Sequence, residues 1–389
     1  MELKTLINEK NIIKWRQHLH KNPELSQQEV KTAQFICDIL ETFGCFEIER
    51  PTATSVVAIL KTGKPGKTIA LRADTDALPV LEEADVEFAS EISGVMHACG
   101  HDAHTAMLLG ACETIAKIKD KFVGTIKFVF QHAEELPPGG AKEIMATGIL
   151  ADVDEIYGIH IDAMTPTGVV KLCRGAMTAS GDAFEVRIQG KGSHGSTPYL
   201  SIDPIIIGSE LVLNLSHLVS HGVNAFDNAV ITVGEFTSGN AANVIPDSAF
   251  IQGTVRATNS ETRLTIKTKI ESMVEHITAM YGATYDLNYI LGYSAVINTA
   301  SCVDTVEKAA QKVVPVDKID FCTTEMGGED FSAYLEKIPG AFFKVGAQKE
   351  NDDTYGYAHH HPKFKIDENA FIVGTQMHVQ LLWDLLGEK

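Results

Sequence analysis

Positive charge is what this chain has least of. Its 33 Lys and Arg residues face 51 Asp and Glu, a formal charge of −18. No basic tract offsets the deficit, which argues against nucleic acid or an anionic membrane surface as a partner. Long apolar runs are missing as well: no stretch reaches the ~20 residues that a spanning helix needs. The polar opening MELKTLINEKN carries no signal-peptide pattern. Cysteine is sparse and unpaired. The seven residues (Cys37, Cys45, Cys99, Cys112, Cys173, Cys302 and Cys322) are odd in number and scattered, the habit of a reduced, cytosolic protein rather than a disulfide framework. No G-x-S-x-G elbow occurs, so a serine nucleophile of that kind is not expected. What remains is 389 residues, too many for one ordinary core, so two domains are expected.

One stretch concentrates metal-binding chemistry: HACGHDAH, His97 to His104. Cys99 and His101 can face one ion if the backbone bends between them, and Gly100 permits the bend. Thiolate with imidazole suits zinc and its first-row neighbours far better than calcium or magnesium. Cys99 is the one cysteine with histidine neighbours; the others read as small buried hydrophobes.

Around that stretch the pattern predicts alternating strands and helices. Two helices up to Gly44 break at Asn22-Pro23, and Ser26 with Glu29 is expected to form a capping box for the second. Strands are predicted at Thr54–Leu60, Thr68–Ala73, Gly124–Phe130 and Glu155–Ile159, with a helix over Asp102–Ile118 whose apolar side is Met107, Leu108, Ala111 and Ile115. Asp74/Asp76, Glu134/Glu135 and His160 then fall just past strand ends, where open α/β sheets bind ligands. From about residue 180 the rhythm changes. Phe184, Val186 and Ile188 alternate with polar residues, and the order β-α-β-β-α-β follows to about 291, the ferredoxin-like arrangement. The expected fold is thus α/β: a mainly parallel-sheet catalytic domain (1–179 and 292–389) with an inserted ferredoxin-like α+β domain (180–291).

The acids and histidines divide by what they can do. Glu134 and Glu135 are adjacent at a strand end, where neighbouring side chains point to different sides, so one can bind metal while the other handles protons. Asp74 and Asp76 can ligate, or can orient an imidazole by accepting its second N–H, the role favoured for Asp76. Of His359-His360-His361, three in a row cannot all ligate one ion.

HACGHDAHTAMLLGA, preceded by LRADTDALP and followed by an Ala-Glu-Glu strand end, resembles the two-metal N-acyl-amino-acid amidohydrolases. That family includes hippurate hydrolases, indole-acetyl-amino-acid hydrolases and N-acetyl-diaminopimelate deacetylases, and is kin to aminoacylases and glutamate carboxypeptidases. The likeness spans nearly the whole chain: WRQHLHKNPELSQQE, GKGSHGSTP, NVIPD with GTVRAT, GGEDFS and HHHPKFKIDE. It implies two divalent ions (zinc, manganese or cobalt) held by Cys99, His101, Glu135, His160 and His360, the last selected by the family's His-x-Pro pattern. It implies Glu134 as general base, Asp76 beside the metals, and His194 reaching across a homodimer formed through the inserted domain. Asn243 and Arg256 match positions associated with the substrate.

Two departures stand out. His132 replaces a usual proline before Ala-Glu-Glu, placing a titratable group near the base. Asp74 falls where the peptidase branch carries a metal-binding histidine, which weighs against peptidase activity. The expected reaction removes an acetyl, benzoyl or similar group from an amino acid with a free carboxylate. A water bridging the two ions would attack the amide, with Glu134 taking its proton. His194 would stabilise the oxyanion, and the insert would act as a hinged lid. The alternatives are a dipeptidase or carboxypeptidase of the same fold, and a non-catalytic binding homologue.

Overall fold

The computed structural model describes residues 2–388. The chain divides into two compact units, one of residues up to Met177 with Ile297–Thr323 and the segment from Asp330, the other of Thr178–Val296 with Thr324–Glu329. The short segment 324–329, expected with the catalytic part, groups with the second unit.

In chain order the first unit runs α1 (Glu9–Lys21), α2 (Val30–Phe43), β1 (Glu47–Glu49), β2 (Val56–Lys61), β3 (Thr68–Asp74), α3 (His101–Lys117), β4 (Thr125–Gln131), α4 (Gly140–Ala146), β5 (Glu155–Pro166), β6 (Val170–Leu172) and β7 (Gly175–Ala176). The second unit holds β8 (Asp182–Gln189), β9 (Ser193–His194), α5 (Pro204–Gly222), β10 (Ala229–Ser238), β11 (Val244–Ile245), β12 (Ser248–Ala257), α6 (Ser260–Tyr281) and β13 (Thr284–Ile290). The chain then returns to the first unit through β14 (Ile297–Asn298), α7 (Ala300–Val313), β15 (Ile319–Phe321), α8 (Ser332–Leu335), β16 (Gly340–Gln348) and α9 (Asn369–Leu386).

Eight strands of the first unit form one sheet in the order β1-β2-β4-β3-β5-β16-β6-β15. Its centre is parallel, β4 with β3, β3 with β5 and β5 with β16. Antiparallel pairs flank that centre at β1–β2, β2–β4 and β16–β6. A mixed α/β unit around a mostly parallel sheet therefore stands. The central strands are buried along most of their length and largely apolar because both faces are covered. Helix α3 departs from the one-sided stripe expected of it. It lies against α1, α2 and α9 as well as β3, β4 and β5, and every residue from His101 to Cys112 is buried. A helix enclosed in this way has no solvent face to keep polar, which is why small and apolar residues surround it.

Strand β5 differs from expectation in a way that shapes the site. It runs to Pro166, so His160 lies inside the strand and not beyond its end. Its pairing with β3 stops at Arg72 opposite Gly158, while pairing with β16 continues to Pro166. From His160 onward one edge of β5 is therefore free of β3, and that gap faces the start of α3.

The second unit is a four-stranded antiparallel sheet, β10-β12-β8-β13. Phe184, Val186 and Ile188 of β8 are buried with Ile207, Leu211 and Leu215 of α5 and Ile266, Ile270 and Val274 of α6. Asn259 caps α6, its side chain accepting Thr262 N–H, and Asp203 caps α5 by accepting Ile205 N–H. Among the described residues no helix is long and apolar enough to cross a membrane, and all seven cysteines are free.

Candidate metal and catalytic site

Helix α3 begins where the chemistry is densest. Gly100, its N-cap, has φ +90, and a Cβ there would collide with Ile161 Cγ2; only glycine permits both the turn and the approach. The turn brings Cys99 and His101 to one place, as the sequence predicts. Cys99 Sγ lies 3.5 Å from His160 Nε2. Ligand atoms of Cys99, His101 and His160 fall within 4.8 Å of one another, and so do those of Cys99, Glu135 and His360. Cys99 is thus common to two donor sets. All five candidate ligands converge.

Hydrogen bonds fix which imidazole nitrogen faces the centre. His160 Nδ1 donates to the Ile161 carbonyl at 2.6 Å, and His101 Nδ1 donates to Asp76 Oδ1 at 3.1 Å. Each ring therefore turns its Nε2 lone pair inward. His101 Nε2 is fully buried and has no hydrogen-bond partner among the described residues. A buried acceptor of this kind is costly unless something else satisfies it. A thiolate, imidazoles and a carboxylate are the donors that a first-row divalent ion takes, so these residues fit the expected cations.

Four histidines close in sequence to these ligands stand outside the two donor sets. His104 donates from Nδ1 to Asp74 Oδ1 at 2.5 Å and accepts Ile161 N–H at Nε2, 2.8 Å, so neither nitrogen is free to ligate. Burial keeps His97 neutral, its pKa drawn down to about 4. His359 is neutral for the same reason, also at about 4. His361 accepts Lys363 N–H and stacks on Tyr357. Only His360 of the triplet reaches the centre, with Nε2 3.1 Å from Glu135 Oε1. It holds a left-handed φ of +69, and its N–H donates to the Ala98 carbonyl beside Cys99.

The glutamates do not part to opposite sides as expected. Strand β4 ends at Gln131, Ala133 takes φ +50, and both carboxylates then face one point. Glu134 Oε2 is 4.0 Å and Glu135 Oε1 3.9 Å from His101 Nε2. His132 turns to Glu143 Oε2 of α4, 3.0 Å away, and its other nitrogen to Thr52.

Behind the centre lies a buried charge network that only Asp74 represents among the sequence candidates. Arg72, within β3, is 1% exposed, so its charge must be met by protein groups. It donates to Asp74 Oδ2 (2.6 Å), Gln131 Oε1 (2.8 Å) and Asp330 Oδ1 (2.9 Å). Burial opposes the Asp74 charge, but His101 and Arg72 hold its carboxyl well below the usual range. An arginine inside the apolar run TIALRAD is the one signal that could have disclosed the network. Replacing Arg72 with Met strands two buried carboxylates, and a loss of roughly 3–5 kcal/mol is expected in denaturant unfolding; an unchanged midpoint would contradict the assignment. Asp102, beside His101, is held in the same manner. Arg16 and His20 of α1 lie 2.8 Å from its Oδ2, which accounts for the WRQHLH motif.

Excess negative charge at the centre draws in protons. Hydrogen bonding to the Cys99 sulfur, then to Glu135, brings the His360 pKa up to about 10. Burial opposes a charge on His101, yet Asp74 and Cys99 raise it well above the usual range. A cation taking these ligands must displace protons bound below those raised values. Metal affinity is therefore expected to rise with pH across neutrality. Calorimetry of metal-free protein in buffers of different ionisation heat reads the released protons, and a buffer-independent heat would contradict this.

The three other expected residues lie in the second unit. His194 sits on β9 opposite Val244 of β11, and Gly195 N–H donates to the Asn243 carbonyl at 2.8 Å, so His194 and Asn243 share one exposed ribbon. Arg256 stands apart from them on β12, opposite Val230.

Known proteins resemble this chain along most of its length. The chain matches the family described as peptidase family M20/M25/M40 over residues 70–384, a span that contains every candidate ligand. An N-acyl-L-amino acid amidohydrolase of Geobacillus stearothermophilus is 47% identical over 299 residues, 76% of this chain and 81% of that protein. Thermostable carboxypeptidase 2 of Saccharolobus solfataricus is 38% identical over 374 residues, 95% of this chain and 94% of that protein. Among solved structures, a Bacillus subtilis dinuclear metal binding peptidase from the M20 family aligns with a TM-score of 0.82 at 34% identity, covering 97% of this chain and 98% of that one. Resemblance in motif, in fold and in identity along most of both chains has one reading, and the protein belongs to peptidase family M20/M25/M40.

Proposed function

We propose that the protein is a metal-dependent amidohydrolase that removes an N-acyl group, acetyl, benzoyl or similar, from an amino acid with a free carboxylate. What carries this reading is the convergence of Cys99, His101, Glu135, His160 and His360 with a second carboxylate, Glu134, alongside. Two divalent ions, zinc, manganese or cobalt, would be held by those five side chains. When bound they supply Lewis-acid polarisation of the amide carbonyl and acidify water. Asp76 fixes the His101 tautomer through one oxygen and holds Glu135 N–H with the other at 3.0 Å. Glu134 takes a proton from the attacking water and delivers it to the departing amine nitrogen. No covalent acyl-enzyme is involved.

The rest of the reading concerns the second unit. Its element order β-α-β-β-α-β supports a ferredoxin-like domain (180–291) inserted in a catalytic domain (1–179 and 292–389), serving as lid and dimerisation surface. His194 Nδ1 accepts Ser196 N–H, which leaves Nε2 as the donor of a neutral ring, suited to an oxyanion. In this proposal that donor reaches the site of a partner copy, with Asn243 and Arg256 contacting substrate. The free edge of β10 and the exposed Ile205, Ile206 and Leu213 of α5 suit pairing with a second copy. The free thiols suit the cytoplasm.

A carboxypeptidase reading draws on the Saccharolobus relative. The two activities share chemistry, since a C-terminal residue is an N-acylated amino acid with a free carboxylate. Parallel assays of metal-loaded protein on N-acetyl and N-benzoyl amino acids and on dipeptides separate them. Faster dipeptide cleavage would favour peptidase activity, and cleavage of neither would overturn the proposal.

A further inference from the structure

Ser26-x-x-Glu29 has the pattern of a capping box, but neither side chain caps α2. Glu29 is the N-cap residue, and its side chain accepts none of the first-turn N–H groups. Both residues are diverted to the site. Ser26 Oγ donates to Asp76 Oδ2 at 2.7 Å, and Glu29 Oε1 accepts Ala133 N–H at 2.8 Å. Local rules yield in this way where function asks something else of a residue.

Ala133 is the pivot of the glutamate pair. Its φ of +50 is a left-handed conformation that is unfavourable for a residue with a Cβ. Such strain persists only where the surroundings over-determine it. Here the residue is held from both ends: Glu29 takes its N–H, and its carbonyl accepts Gly140 N–H at 3.1 Å. Glu29 itself is fully buried, and its second oxygen has no hydrogen-bond partner among the described residues. Burial, with Asp76 adding to it, pushes its pKa up to about 7. A carboxyl kept in so unfavourable a place, without capping its own helix, has another use.

We infer that Glu29 is a positioning residue: by accepting Ala133 N–H it holds the left-handed turn that aims Glu134 and Glu135 at one point, while Ser26 of the same segment sets Asp76. The inference rests on the amidohydrolase reading. It is tested in the full-length protein with Glu29→Gln, which keeps an acceptor for Ala133 N–H, and Glu29→Met, which removes it at similar length. Mn2+ affinity of the metal-free protein is read by calorimetry, and kcat and KM on an N-acyl amino acid that the wild type cleaves. For Glu29→Met, Mn2+ affinity is expected to fall about ten- to a hundredfold. Its kcat should fall by about a hundredfold with KM little changed, and Glu29→Gln should restore most of both. Wild-type affinity and kcat in Glu29→Met would overturn the inference, as would a Glu29→Gln protein equally impaired. Where Glu29→Met does not fold, Glu29→Asp, which retracts the acceptor by one methylene, decides: weakened Mn2+ binding upholds the inference and unchanged binding overturns it. A wild-type protein that neither binds Mn2+ nor cleaves N-acyl amino acids defeats the parent reading, whereas one that does both beside an unimpaired Glu29→Met defeats the positioning role alone.

Discussion

Glu134→Gln is expected to lower kcat by about a thousandfold, within the range that general bases contribute, while metal content stays at the wild-type level. Glutamine matches glutamate in shape and can still accept a hydrogen bond, but it cannot take a proton from water. The side chain is 9% exposed, so no bulk base replaces it readily. Its oxygen stands 4.0 Å from His101 Nε2, and with His101 and Glu135 it forms a further group of donor atoms within 4.8 Å of one another. The two glutamates are distinguished by the same pair of measurements. Substituting a ligand depletes metal and activity together, whereas substituting the base leaves the metals in place without turnover. A Glu134→Gln protein within tenfold of wild type would remove Glu134 from the reaction.

Cys99→Ala carries the second large expectation: metal affinity lower by more than about a hundredfold, and activity reduced to trace. Cys99 is the one residue shared by the Cys99–His101–His160 and Cys99–Glu135–His360 sets, so its loss affects both at once. Burial, followed by the Glu135 charge, pushes the Cys99 thiol up, so the protein groups alone do not favour a thiolate there. Were Cys99 only a small buried hydrophobe, alanine would be close to neutral and the metals would remain. His361→Ala serves as the control, since that ring is directed to Lys363 and Tyr357 and metal content should not change.

Much of the first unit was legible because its signals are local. Apolar runs ending in acids marked β3 and β4, and Gly100 beside Cys99 and His101 marked the bend that brings two donors together. The errors arise where pairing partners decide. Nothing within EIYGIHIDAMTP shows that β3 leaves β5 at Gly158 while β16 stays with it, so the expected strand ends seven residues early. The Ser26/Glu29 spacing suited a helix cap, and only the folded chain brings Asp76 and Ala133 near enough to claim those side chains. Arg72 was visible as an arginine in an apolar strand, but its counter-charge Asp330 is 258 residues away. Choosing His360 from its neighbours required the motif. The ring stacking of His361 and the burial of His359 are properties of the loop, not of three identical letters.

His360 differs from the other candidate ligands in one respect. Its side chain is 52% exposed, against 12% for Glu135 and 0% for His101. It rides on a loop residue with positive φ, whereas Cys99 and His101 are locked to the start of an enclosed helix. A centre built this way has four fixed walls and one shutter. Ions entering or leaving such a centre would pass that peripheral imidazole, so retention time is expected to respond to the loop's stiffness while the buried donors stay unaltered.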